Sequence, residues 1–85
     1  MRYKAEVIVR LKNGIRDPQG SAIETVLKRT QMMENEPSVK VGKFFSIEVE
    51  GVEEIEARQN LELIAQEVLS NPVLEQYEIT RFEAM

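Results

Sequence analysis

The hydrophobic period of this chain changes four times, and that switching limits the folds open to it more than any other feature. Positions 2–12, "RYKAEVIVRLK", alternate: Tyr3, Ala5, Val7, Val9 and Leu11 share one face, and Arg2, Lys4, Glu6, Arg10 and Lys12 the other. Successive strand side chains point to opposite faces, so period two with one charged face predicts a strand covered on one side only. From residue 18 to about 33 the spacing becomes three and four, with Ala22, Ile23, Val26, Leu27 and Thr30 forming one stripe. Positions 39–50, "VKVGKFFSIEVE", alternate again, with Val39, Val41, Phe45, Ile47 and Val49 in phase. A second helical stretch from Glu53 to Ser70 aligns Ile55, Ala57, Leu61, Ile64, Ala65, Val68 and Leu69. Residues 73–83 then form a last strand with Tyr77 and Ile79 inside.

Punctuation falls where these switches need it. Asn13-Gly14 is a turn signal. Asp17 can cap a helix by accepting free first-turn N–H groups, and Pro18 suits the first helical position, where its missing N–H is not needed. Asn35 and Pro37 are expected to end the first helix, and Asn71-Pro72 the second. At Gly42-Lys43 two readings stand: a tight hairpin, or one long strand that bends. The sequence thus predicts one α+β domain over 1–85. Its order is β-α-β(β)-α-β, a two-layer sandwich with two helices on one face of a mainly antiparallel sheet, similar to ferredoxin-type folds.

Parity places Ile8, Phe44 and Phe82 on the otherwise charged face of that sheet. Three apolar side chains on different strands could converge into a patch covered by a second subunit. Gly20 is another oddity. Glycine in a first helical turn costs up to about 1 kcal/mol relative to alanine, so its presence suggests a backbone passing close by.

The 85 residues contain no His and no Cys. A chain this short buries only about 60–65% of the surface it exposes when unfolded, and oligomerisation is the usual support for so small a core. Disulfides are unavailable, and for metals only hard cations on carboxylates remain. Nucleophilic triads are reduced to a Ser–Lys pair, and Ser21, Ser38, Ser46 and Ser70 show no spacing to a lysine that suggests one. The acidic run "VEEIE" is a helix N-terminus that the helix dipole favours. A single glycine in "DPQG" cannot form a glycine-rich phosphate nest. No apolar run reaches the length of a membrane span, and the first residues alternate instead of forming a leader, so a cytoplasmic protein is expected. The net charge of −4 is unevenly divided: residues 1–43 hold nine Lys/Arg against five Asp/Glu, and residues 44–85 two against ten. Nucleic acid is a poor partner for this balance, whereas a protein partner of mixed sign suits it.

Three stretches together, "DPQGSAIETVL", "VKVGKFFSIEVEG" and "LSNPVLEQYEI", resemble the signatures of the PurS family, and the resemblance runs from about Tyr3 to Ile79. PurS proteins are the small subunits of phosphoribosylformylglycinamidine (FGAM) synthase in de novo purine synthesis. The resemblance implies a non-catalytic subunit that joins a PurQ-type glutaminase to a PurL-type synthetase and supports ammonia transfer between them. The assembled enzyme converts formylglycinamide ribonucleotide, glutamine and ATP into formylglycinamidine ribonucleotide, glutamate, ADP and phosphate. ATP, Mg2+ and glutamine would sit on the other subunits, with no cofactor or metal on this chain. Homodimers or homotetramers are implied, with neither nucleic acid nor membrane as partner. Contact residues expected from the residue reading and the resemblance together are Ile8, Asp17, Gln19, Gly20, Gly42, Lys43, Phe44 and Phe82.

Two other readings remain. An ACT-like regulatory module would share the element order, dimerise through its sheet and bind an amino acid near a glycine loop such as Gly14. An RNA-binding module would use sheet-face aromatics, but it needs a basic surface that this chain lacks.

Overall fold

The computed structural model describes residues 1–33 and 35–85. Its elements are β1 (Arg2–Leu11), α1 (Pro18–Thr30), β2 (Gly42–Glu50), α2 (Glu54–Ile64), a π-helical turn (Ala65–Leu69) that continues α2, and β3 (Glu75–Ala84). The strands form one antiparallel sheet in the order β2-β1-β3. The first strand therefore lies in the middle, which explains why its inner face is the most thoroughly buried part of the chain. Tyr3, Ala5, Val7 and Val9 join Val49 of β2 and Ala57, Leu61 and Ala65 of the second helix in one core.

The expected α+β fold is present, with differences that have identifiable causes. α1 stops at Thr30, because Gln31 adopts the left-handed conformation (φ 55°) and its N–H bonds back to the Lys28 carbonyl. Neither reading of the Gly42 region holds. Gly42 opens β2 opposite Arg10, and residues 39–41 lie outside the strand. Side chains of the first helical region hold that segment instead. The Val39 N–H donates to Glu24 Oε2 (2.8 Å) and the Val41 N–H to Asp17 Oδ2 (2.8 Å).

On α2, Ala57, Leu61 and Ala65 face the core as expected, with Ile64 and Leu69 half-buried. Ile55 and Val68 are exposed, contrary to their place in the predicted stripe. Ile55 lies in the first turn, and Val68 falls in the π turn, whose wider winding shifts side chains off a 3.6-residue stripe.

Phe82 is the clearest correction. Between the Glu6–Arg81 and Val7–Ile79 pairs the β1–β3 register slips, so Thr80 has no opposite residue. A bulge of one residue inverts the parity of everything beyond it. Phe82 therefore faces the core, not the open face. Its ring stacks on Tyr3 (centroids 5.1 Å apart, 4° between planes), and the Arg58 guanidinium lies 5.5 Å from its centre.

α1 is the outlier. Only Gly20 of this helix is buried, and Ile23 and Val26 remain 45% and 50% exposed. The hydroxyls of Thr25 and Thr30 donate to carbonyls of their own helix. The molecule is accordingly long, 53 × 26 × 14 Å, with a radius of gyration of 16.8 Å. A compact chain of this length would have about 12 Å.

Candidate functional site

One end of the sheet gathers most of the residues singled out by sequence. There the end of β1, the turn at 12–15, the start of α1, the segment before β2 and the start of β3 meet around two adjoining clefts of about 390 and 350 Å3. Arg10, Leu11, Asp17 and Val41 line both. Gln19, Gly42 and Lys43 line one cleft, and Gly14 and Lys40 the other.

Asp17 organises this end. Its Oδ1 accepts from the Gly20 N–H (2.8 Å) as a helix cap, while Oδ2 takes the Val41 N–H. One carboxylate thus ties the start of a helix to the entry of a strand. The amides of Gly20 and then Val41 hold its pKa below the ordinary value of 3.8. A Cβ on Gly20 would run into the Val39 carbonyl oxygen. The close backbone inferred from that glycine therefore exists, but it belongs to this chain and not to a partner. Asp17 and Gly20 turn inward and build the site, leaving Gln19 and Lys43 exposed at its rim.

The remaining expected contacts lie elsewhere. Ile8 and Phe44 are direct cross-strand neighbours on the open sheet face, with Phe44 exposed. Ion pairs surround them: Arg2 with Glu48 and Glu50, Arg10 with Glu78, and Arg81 with Glu6 and Glu83. With Phe82 turned to the core, the expected patch of three is a pair set in charge.

Sequence reasoning passed over Arg10, Lys12 and Lys40 as members of the clefts. The uneven charge was their only signal, and nothing local said that the cations would meet. Lys12 Nζ donates to the Pro72 carbonyl (2.6 Å), which closes the turn against the loop before β3. Glu75 accepts the Asn71 N–H (2.8 Å) and stands 3.8 Å from Lys43. Ser70, a residue weighed as a nucleophile, gives its hydroxyl to the Ala65 carbonyl (2.8 Å). Among the described residues no three acidic side chains stand together as a metal site.

A half-covered sheet, an outlying amphipathic helix and shallow charged clefts define a small α+β protein built around surfaces instead of an enclosed pocket. The family model for PurS, phosphoribosylformylglycinamidine (FGAM) synthase, matches residues 4–83. The PurS subunit of Methanocaldococcus jannaschii is 35% identical over 77 residues, covering 91% of this chain and 92% of that one. Among solved structures, Thermus thermophilus PurS superposes with a TM-score of 0.80 at 34% identity, covering 100% of this chain and 99% of the other. A chain of the Thermotoga maritima PurLQS structure gives a TM-score of 0.80 at 30% identity, over 93% of this chain and 95% of that one. This chain belongs to the PurS family, and the ACT-like alternative is not favoured.

Proposed function

We propose that this chain is the small, non-catalytic subunit of an FGAM synthase in purine biosynthesis, joining a PurL-type synthetase to a PurQ-type glutaminase. The observation that carries this reading is its end-to-end likeness to a chain of the T. maritima PurLQS structure. The residue chemistry agrees: the chain has neither imidazole nor thiol, Ser70 bonds to the Ala65 carbonyl and Asp17 to two backbone amides, and what it offers other proteins is surface. ATP, Mg2+ and glutamine belong in this reading to the other two subunits, and the site of action is the cytoplasm. No helix among the described residues is long and apolar enough to cross a membrane.

The same reading includes a homo-oligomer, and α1 is the surface we assign to a second copy. An isolated helix shorter than about 12–15 residues is marginal in water. α1 has 13 residues and buries only its first turn in its own chain. Ile23, Val26 and Leu27 form a stripe that needs cover. An antiparallel two-fold pairing of this helix centred near Val26 sets residues 24 and 28 opposite each other on the same flank, so Glu24 of each copy meets Lys28 of the other.

Reconstitution tests the function. Purified synthetase and glutaminase subunits are mixed with and without this chain, and glutamine-dependent FGAM formation is followed. We expect product only when the chain is present. An equal rate in its absence would end the proposal.

A further inference from the structure

The positive end of the molecule is a second, distinct surface. Arg10 and Lys12 at the end of β1 and Lys40 and Lys43 at the start of β2 surround the two clefts. Asp17, beside Lys40, offsets only part of them, because the cleft that Lys40 lines sets Arg10, Lys12 and Lys40 against this one carboxylate. Two of the cations are only loosely engaged, Arg10 at 3.6 Å from Glu78 and Lys43 at 3.8 Å from Glu75. Lys12 rests on a neutral carbonyl and keeps its full charge. Lys40 forms no ion pair among the described residues. Contacts as long as those of Arg10 and Lys43 exchange readily for a better acceptor. The cleft that Lys40 lines keeps an excess of positive charge, which draws anionic groups toward it, whereas the other sets Arg10 and Lys43 against Asp17 and Glu75. At the other end of the sheet the sign reverses, with Glu48 and Glu50 closing β2 and Glu53, Glu54 and Glu56 opening α2.

We infer that this basic end docks a carboxylate-rich segment of one of the two partner subunits, an inference that rests on the function proposed above. A second copy of this chain is the poorer occupant. Its acidic end would have to bind head to tail, and such a contact gives only a ring or an open chain, not a two-fold dimer. A compact phosphate fits less well too, because the cations are divided between two clefts, Lys12 and Lys40 lining one and Lys43 the other. An extended acidic segment reaches the cations one at a time, and the exposed amides of Gln19 and Gln76 can bond to its backbone.

The test uses the full chain with each purified partner subunit. Association rates are measured from low to high salt for wild type, Lys12→Glu/Lys40→Glu/Lys43→Glu, the milder Lys12→Gln/Lys40→Gln/Lys43→Gln, and a control, Arg2→Glu/Lys4→Glu, at the far end of β1. Circular dichroism checks that each variant is folded. The inference expects the Glu variant to associate about tenfold or more slowly with one subunit at low salt, with a flatter salt dependence. The Gln variant should be intermediate and the control close to wild type. Unchanged rates and salt dependence in both lysine variants would overturn this inference while leaving the proposed function standing. Wild type failing to bind either subunit would overturn both. Competition by inorganic phosphate at low concentration would reassign the clefts to a small anion and overturn it as well.

Discussion

The sheet with α2 and the arm formed by α1 are built from the same kind of sequence, yet they differ in where their apolar faces end up. In the first region the alternation of β1 meets the helical stripe of Ala57, Leu61 and Ala65, and those residues are fully buried. In the second the stripe of Ile23, Val26 and Leu27 is as regular, but only Leu27 is half-buried, and Ile23 and Val26 stay about half exposed. Amphipathicity therefore says that a face will be buried, and not by which molecule. The arm is held at its root by Asp17, Gly20 and the Glu24 bond to Val39, and near its end only by an exposed ion pair of Lys28 with Glu36.

That contrast breaks most sharply at Leu61, fully buried beneath the sheet. Leu61→Ala should cost about 2–5 kcal/mol, enough to unfold much of a domain this small. Urea denaturation followed by circular dichroism measures it, and a loss below about 1 kcal/mol would mean that the core is not the stabilising region. Next in size is Gly20→Ala, whose methyl group would press on the Val39 carbonyl. A loss of about 1–3 kcal/mol is expected, against the gain that alanine normally brings to a helix. A stabilised variant would show that the root of the arm gives way freely.

Ile23→Asp/Val26→Asp should do the opposite of Leu61→Ala. Circular dichroism of the sheet and α2 should stay close to wild type, while analytical ultracentrifugation shows the oligomer falling to monomer. An intact oligomer would remove the arm as its surface. Phe44→Lys, on the open face, is expected to change stability by no more than about 0.5 kcal/mol and to leave the oligomer unchanged by light scattering. Dissociation would move the contact from the arm to the sheet.

The smallest effect is that of pH at the root. Asp17 has a folded pKa below its ordinary 3.8, so its contribution is fully present above that value and is lost as pH falls through the lower folded one. Thermal melts of wild type should therefore fall below pH 4 more steeply than those of Asp17→Asn. Parallel curves would show that the two amide bonds to the carboxylate add little.

Much of this could be read in advance. The period switches, the Asp17-Pro18 helix start and the Asn71-Pro72 stop are local, because backbone sterics and side-chain spacing act within a few residues. Gly20 is an instructive middle case: its cost to the helix pointed to a nearby backbone, but only the fold identified Val39. Phe82 shows where such reading stops. Its parity was sound along the strand, yet a bulge belongs to the pairing of two strands and leaves no mark in either one's alternation.

What the sequence determined alone is the order of strands and helices, the inner face of β1 and the lack of imidazole and thiol, since each is a property of residues a few positions apart. Tertiary structure decided that β1 lies in the centre, that Thr80 turns Phe82 inward, that the cations of residues 10–12 and 40–43 share one end, and that α1 leaves Ile23 and Val26 about half exposed. Those outcomes depend on contacts across tens of residues, where chain closure, register and packing compete and local spacing has no say.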